Sequence, residues 1–352
     1  MPQETMTPRE RWLAVLRREQ PDRIPTDYWA TDEATAKLMT HLGVESEPEL
    51  LRRLHIDRPK TVGGRYVGPP LPAGCDVYGV PHRTVDYGTG AYSEVAANPL
   101  APYGSVEEIE ANYTWPSPDW WDYADLPKQI EGWEDYPIRG GGSEPFLTYK
   151  ALRGQEQAFM DLILHPDIVH HCLDRLFELA YQNTLRIYEA IPDRVMITYV
   201  AEDMGSQESL LFSPAQIHEF LIPRMKRMID LAHSAGAYVF HHSDGAIRPI
   251  IPAMIAAGID VLNPIQWRCK GMEREGLKRD FGEQLVFHGG MDNQYTLAFG
   301  TVDEVQREVE DNLRILGAGG GYILAPCHNI QAVGPAENVV AMYEACYALG
   351  WS

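Results

Sequence analysis

The chain has 352 residues, of which 45% are hydrophobic and 23% are charged. This composition is typical of a globular protein, and the length suits one barrel-type domain with insertions. The formal net charge of −20 excludes the common classes of nucleic-acid and anionic-membrane binders, because those proteins need a basic surface.

The five cysteines are scattered, so they predict neither a disulfide framework nor a Cys-x-x-Cys zinc knuckle. The first residues contain no apolar segment of the signal-peptide type, and no apolar run approaches the roughly 18 residues that a membrane span needs. We therefore predict a reduced protein in the cytoplasm.

The first predicted element is an amphipathic helix that a capping box, Thr7 to Glu10, opens. A strand-like segment follows at residues 24–29. From 58 to 140 the chain is rich in Pro, Gly and aromatic residues, which indicates an irregular insertion. These aromatic side chains suit either a ligand pocket or simple packing of a loop-rich segment. Residues 140–143, three glycines and a serine, are typical of a hinge or of a loop with close backbone contacts.

From residue 195 onward, predicted strands and helices alternate strictly, which is the pattern of a parallel sheet. Counting strands near residues 24, 55, 136, 196, 238, 260, 286 and 322 predicts an α/β fold, a (β/α)8 TIM barrel that forms one domain over residues 1–352. The chain has no glycine-rich dinucleotide fingerprint, no phosphate-binding loop and no Gly-x-Ser-x-Gly elbow, so these site classes have no support.

The strand at residues 238–242 runs into His241, His242, Ser243 and Asp244. Side chains alternate along a strand, so His242 and Asp244 leave on the same side, at the end where α/β proteins bind ligands. Cys327 follows another apolar strand. These N, O and S ligands together suit catalytic zinc with one open position. The alternative is a hydrogen-bonded His–Asp pair and a cysteine buried as a small hydrophobic residue.

Polar residues at the strand ends also resemble those of a known family. The motifs that carry the resemblance are Pro21-Asp22-Arg23-Ile24-Pro25, Asp203-Met204-Gly205-Ser206-Gln207, Ser213-Pro214, His242-Ser243-Asp244-Gly245, Gly258-Ile259-Asp260-Val261-Leu262-Asn263-Pro264-Ile265-Gln266, Gly289-Gly290-Met291-Asp292-Asn293-Gln294 and Ala325-Pro326-Cys327-His328-Asn329-Ile330-Gln331. Together they resemble the uroporphyrinogen decarboxylase superfamily, and they are more similar to its cobalamin-dependent methyltransferases than to its haem-pathway decarboxylases. The resemblance implies a (β/α)8 barrel with its site at the carboxyl ends of the strands.

In the methyltransferase branch, a His-x-Cys motif and a distant Cys hold zinc. His242 and Cys327 fall on two of those positions, whereas Asp244 replaces the first Cys. The resemblance therefore implies zinc on His242, Asp244 and Cys327, with Glu202 as a fourth ligand. The remaining assignments are a catalytic role for Asp203, His288 and Asp292, and substrate binding by Gln207, His328 and Asn329.

The predicted function is zinc-dependent transfer of a methyl group from a small methoxylated or N-methylated compound to a corrinoid protein. Two alternatives stay open: a metal-free carboxy-lyase of the uroporphyrinogen decarboxylase type, and a non-catalytic protein that carries a corrinoid or a methylated ligand. The sequence leaves open whether the chain forms a homodimer.

Overall fold

The structure is a computed structural model that describes residues 3–86, 88 and 90–351. The described residues form fifteen α-helices and eleven strands. The strands are β1 (Lys60–Val62), β2 (Arg65–Tyr66), β3 (His82–Asp86), β4 (Ala91–Val95), β5 (Trp121–Asp122), β6 (Ile138–Ser143), β7 (Ile197–Ala201), β8 (Tyr238–His242), β9 (Val261–Asn263), β10 (Val286–Met291) and β11 (Tyr322–Pro326). The helices are α1 (Pro8–Leu16), α2 (Asp32–Leu42), α3 (Glu47–Arg53), α4 (Val106–Asn112), α5 (Leu126–Gln129), α6 (Pro145–Arg153), α7 (Gln155–Leu164), α8 (Pro166–Ala190), α9 (Pro214–Gln216), α10 (Ile222–Ser234), α11 (Ile251–Ala257), α12 (Arg274–Phe281), α13 (Thr296–Phe299), α14 (Val302–Ile315) and α15 (Ala336–Leu349).

Seven strands form one curled parallel sheet in the order β1-β6-β7-β8-β9-β10-β11. The predicted α/β class is therefore confirmed. The predicted strand near residue 24 is an isolated parallel bridge between Thr26 and Leu324. Its neighbour Asp27 donates to the Leu324 carbonyl (3.0 Å), and Thr26 accepts from the Asp57 backbone (3.0 Å). Residues 24–27 thus form backbone hydrogen bonds with segments at both edges of the sheet. Closure into an eight-stranded barrel stays a prediction.

Residues 63–137, which connect β1 to β6, contain two small antiparallel ladders, β2 with β5 and β3 with β4. Their aromatic rings pack against each other, with Tyr66 edge-on to Trp120 and Trp121. Strand β1 and the start of β6, both in the main sheet, lie within residues 58–140, and the irregular insertion over these residues stays a prediction.

The predicted hinge at residues 140–143 is wrong, because these residues form most of strand β6. The expected close backbone contact is present. A Cβ atom on Gly142 would lie 1.7 Å from the Tyr199 carbonyl oxygen, and Gly142 has a φ of +122°. Glycine at this position allows a close backbone contact between β6 and β7, and Glu144 follows at the carboxyl edge of the sheet.

Helix α1 covers the amino end of the sheet. The predicted capping box forms, since the Thr7 side chain accepts from the Glu10 backbone and Glu10 accepts from the Thr7 backbone. Trp12 is fully buried and packs with the starts of the strands, including Ile197 and Ile323. This packing leaves the carboxyl ends of the strands as the open face. None of the described helices combines the length and the apolar character that a bilayer crossing demands.

Candidate functional site

Three polar side chains converge at the carboxyl ends of neighbouring strands. Asp203 follows β7, His242 ends β8, and Asp244 lies two residues later. One ligand atom from each lies within 4.8 Å of the other two. The Nε2 atom of His242 is 3.6 Å from Oδ1 of Asp203 and 4.0 Å from Oδ2 of Asp244. We call these three residues the acidic triad.

A line of buried hydrogen bonds orients His242. Its Nδ1 atom lies 2.6 Å from Oδ1 of Asn263, and Nδ2 of Asn263 lies 2.7 Å from Nδ1 of His288. The line ends where Nε2 of His288 meets Oδ2 of Asp27 at 3.1 Å. An amide oxygen accepts and an amide nitrogen donates, so this order places a proton on Nδ1 of His242. The Nε2 atom of His242 is then free to face the two carboxylates.

The pKa shifts of Asp27 and His288 support the same proton positions along these hydrogen bonds. Burial raises the pKa of Asp27, but the hydrogen bond and charge of His288 outweigh it, and the net shift is downward. Burial lowers the pKa of His288 more than Asp27 raises it. An ionised Asp27 that accepts from a neutral His288 fits both shifts.

The acidic triad concentrates negative charge in a partly buried place. Burial raises the pKa of Asp244 although His242 opposes the shift, and burial with the nearby Asp203 raises the pKa of Glu144 to about 7. Carboxylates gathered around an imidazole nitrogen are stable only when a proton or a cation lies between them. One nitrogen and two oxygen donors, with the second ring nitrogen held by an amide, are a ligand set that Zn²⁺ accepts.

The structure places two of the predicted metal ligands outside the acidic triad. Cys327 is buried, and its thiol donates to the Ile265 carbonyl oxygen at 3.2 Å. Burial raises the pKa of this thiol well above its usual range. Glu202 is also buried, and its carboxyl accepts from the backbone N–H of Phe146 at 2.9 Å. Of the four predicted ligands, His242 and Asp244 lie together, joined by Asp203.

The other predicted site residues are spread around the same face. Asp292 is buried and pairs with Arg268, and it also accepts from the Thr296 backbone. Gln207 is exposed and contacts Gln294. His328 and Asn329 are exposed after β11; the charge of His328 acts on Asp244, and Asn329 lines a cleft. Their catalytic and substrate-binding roles stay predictions.

That cleft has a volume of about 770 Å³ and opens beside the acidic triad. Trp29 and Tyr199 connect the two, because each lines the cleft and has its ring centroid 5.8 Å from that of His242. Arg139, on strand β6, also lines the cleft. The volume is in the usual range for a small-molecule site.

Sequence reasoning assigned no site role to Asn263, Asp27, Trp29, Arg139 or Glu144. For Asn263 and Glu144 a signal existed, because Asn263 ends strand β9 and Glu144 directly follows strand β6. Asp27 and Trp29 follow the strand-like segment at residues 24–29. Nothing local indicates that these side chains meet His242 and His288, since Asp27 and His288 are 261 positions apart in sequence.

The parallel sheet, with polar groups gathered at its carboxyl edge, defines an α/β protein with an enzyme-like site. A family profile described as uroporphyrinogen decarboxylase (URO-D) matches residues 128–349. The chain belongs to this family, which confirms the resemblance found in its motifs.

Curated relatives carry the name uroporphyrinogen decarboxylase. The protein from Anaeromyxobacter dehalogenans is 23% identical over 97% of this chain and 99% of its own length. The Thermus thermophilus protein is 27% identical over 58% of this chain, and the match covers 53% of its length. For the maize chloroplast protein, the chain spans 48% of the relative's length at 24% identity.

Among solved structures, a methyltransferase from Methanosarcina mazei aligns with a TM-score of 0.69 and 21% sequence identity. The alignment covers 97% of this chain and 99% of that one. At this identity the likeness establishes a shared fold.

Proposed function

We propose that this protein is a zinc-dependent methyltransferase that moves a methyl group from a small methoxylated or N-methylated compound to a corrinoid carried by a partner protein. The observation that carries the proposal is the acidic triad, an oriented imidazole and two carboxylates. Trp29 and Tyr199, which line the cleft, contact the imidazole of the triad. The likeness in fold to a methyltransferase and the Asp244-for-Cys replacement are consistent with it.

Asp203, His242 and Asp244 would hold the metal. When bound, zinc supplies a Lewis acid that makes an ether or amine heteroatom a better leaving group. Asn263 keeps Nε2 of His242 turned toward the two carboxylates. Trp29 and Tyr199 pack against the imidazole of His242, which is buried, and help to exclude water from it. Glu144, with a pKa of about 7, holds a proton on its carboxyl for part of the time at neutral pH and can give it to a departing oxygen.

Metal analysis of the purified protein tests the proposal. We expect about one zinc per chain, lost in Asp203→Asn, His242→Ala and Asp244→Asn. Cys327→Ala is the matched variant, because its buried thiol lies outside the acidic triad. Retained zinc in Cys327→Ala selects the triad, whereas lost zinc selects the ligand set inferred from the sequence. A protein without zinc, whose activity is the same in all four variants, excludes the proposal.

Activity is tested with a panel of aryl methyl ethers and methylamines in the presence of a reduced corrinoid protein. We expect loss of a methyl group from at least one donor, and methylation of the corrinoid, only with the zinc-loaded protein. Formation of the methylated corrinoid is followed by its absorption spectrum.

A carboxy-lyase is the second candidate, because the curated relatives bear that name. Its substrate in that pathway carries eight carboxylates, whereas this chain has a net charge of −20 and its cleft includes Asp27, Asp32 and Glu47. Such a cleft opposes a polyanion. Release of carbon dioxide from uroporphyrinogen by the metal-free protein would select this candidate.

A further inference from the structure

The cleft contains two arginines with different partners. Arg58 forms an ion pair with Glu47, so its charge is already compensated inside the cleft. Arg139 forms no ion pair with any carboxylate of the described residues. The hydrogen bond found for its side chain runs from Nε to Oγ1 of Thr61, at 3.1 Å. Its two terminal nitrogens therefore remain for a ligand.

Asp27 does not take up these terminal nitrogens. It feels the positive charge of Arg139, which helps to lower the pKa of Asp27, but its oxygens are committed elsewhere. Oδ1 accepts from the Tyr28 backbone, and Oδ2 accepts from Nε1 of Trp29 and lies within bonding distance of His288. Arg139 thus brings an uncompensated donor fork into a half-buried place, which is the arrangement that recognises a carboxylate.

Tyr199 sets the spacing between this arginine and the acidic triad. The guanidinium carbon of Arg139 is 5.8 Å from the Tyr199 ring centroid, and the His242 ring centroid is 5.8 Å from the same point. Since both distances are measured from the Tyr199 ring centroid, the guanidinium carbon of Arg139 and the His242 ring centroid are at most about 12 Å apart, twice 5.8 Å. Trp29 and Tyr199 give the cleft between them aromatic walls, which suit a flat ring.

We propose that the cleft binds an aromatic carboxylate, with the carboxylate on Arg139 and the methoxy or methylamino group directed at the acidic triad. This assignment of substrate class rests on the proposed function. A single anionic group matches the single unpaired arginine, and a second carboxylate would meet Asp32 or Glu47. The aromatic ring lies against Tyr199 and Trp29, which separate the two ends of the ligand.

The test compares 4-methoxybenzoate with its neutral isostere 4-methoxybenzamide, by calorimetric titration of the zinc-loaded protein without corrinoid. We expect the acid to bind the wild-type protein more tightly than the amide. Arg139→Gln should weaken the affinity for the acid by roughly 10- to 100-fold, since one charged hydrogen-bonding group is lost. Its affinity for the amide should stay within a few-fold of the wild-type value. Arg139→Lys, which keeps the charge and loses the fork, should fall between the two.

Arg65→Gln is the control, because Arg65 is exposed, lies outside the cleft and pairs with Asp122. Its affinity for the acid should equal that of the wild type. Zinc content and thermal unfolding of Arg139→Gln, measured in parallel, report whether the variant is folded.

Equal binding of acid and amide by the wild type, no binding of either, or an unchanged affinity of folded Arg139→Gln for the acid each overturns the proposal. The fate of the proposed function is read separately. If the acid binds through Arg139 and is never demethylated, the carboxylate site stands and the methyltransferase proposal fails. If a methyl donor is demethylated by the wild type while folded Arg139→Gln binds the acid as tightly as the wild type does, the methyltransferase stands and the carboxylate site fails.

Discussion

At the scale of single residues, the orientation of His242 depends on Asn263. The Asn263 amide bonds to a ring nitrogen on each side, at 2.6 Å to His242 and 2.7 Å to His288, and it is fully buried. Partners that hold the second nitrogen of a ligating imidazole fix its tautomer and its direction. Asn263 is therefore a positioning residue for the cation that we propose the acidic triad binds.

Replacing Asn263 with alanine should weaken zinc binding by about 10- to 100-fold, because His242 loses the acceptor that holds its Nδ1 proton. Competition with a chromophoric chelator measures the affinity. Asn338→Ala is the matched control: Asn338 is equally buried and donates to the Leu297 and Gly300 carbonyls, away from the triad. Both variants should lose stability. An equal zinc affinity in the two would contradict the role of Asn263.

The sequence was sufficient for some site residues and insufficient for others. His242 and Asp244 were predictable, because two-residue spacing at a strand end determines a common side. Asp203 was recognised as a site residue but not as a neighbour of His242, since strand pairing brings them together. The buried line from His242 to Asp27 depends on contacts between distant segments, for which local sequence carries no signal.

At the scale of elements, strand β6 shows how backbone contact determines residue type. Three consecutive glycines resemble a flexible loop in sequence, yet Gly140–Gly142 lie in a parallel strand. The reason is tertiary: a side chain at Gly142 would overlap the Tyr199 carbonyl. Capping boxes, in contrast, depend on residues three positions apart, and they form at Thr7, as predicted, and also at Ser213 and Thr301.

We expect Gly142→Ala to lower the free energy of unfolding by more than about 3 kcal/mol, since it combines a steric overlap with a positive φ. Gly43→Ala provides the comparison. Gly43 also has a positive φ (+66°), but no atom lies within 4 Å of its Cβ position. The free energy of unfolding of Gly43→Ala should fall by only about 1 kcal/mol. Urea unfolding of both variants measures the difference, and similar losses would mean that the contact with β7 is unimportant.

At the scale of the whole molecule, the two ends of the sheet differ in how their charges are arranged. The amino end contains helix α1 and a buried ion cluster, in which Arg11 pairs with both Asp22 and Asp57, and Arg23 also pairs with Asp57. The carboxyl end carries the acidic triad and the cleft. Charges at the first end are compensated in pairs, whereas Asp203 and Asp244 of the acidic triad form no ion pair with a lysine or arginine of the described residues.

This division predicts that Asp22→Asn changes stability and its pH dependence without changing zinc affinity. Burial raises the pKa of Asp22, but hydrogen bonds from Arg11 and from the Thr5 and Met6 backbone outweigh it, and the pKa falls from 3.8 to about 2. A lowered pKa in the folded state means that ionised Asp22 stabilises the protein above pH 3.8. After allowance for solvent screening the contribution is on the order of 1 kcal/mol, and it disappears as the pH falls from 3.8 toward 2. Urea unfolding should therefore show Asp22→Asn less stable than the wild type at pH 7, with the two curves of stability against pH converging in acid.

Asp230→Asn, which removes an exposed carboxylate paired with Lys226, is the control, and its free energy of unfolding should stay within about 0.5 kcal/mol of the wild-type value. A constant gap between Asp22→Asn and the wild type down to pH 2, or a weaker zinc affinity, would contradict the separation of the two ends.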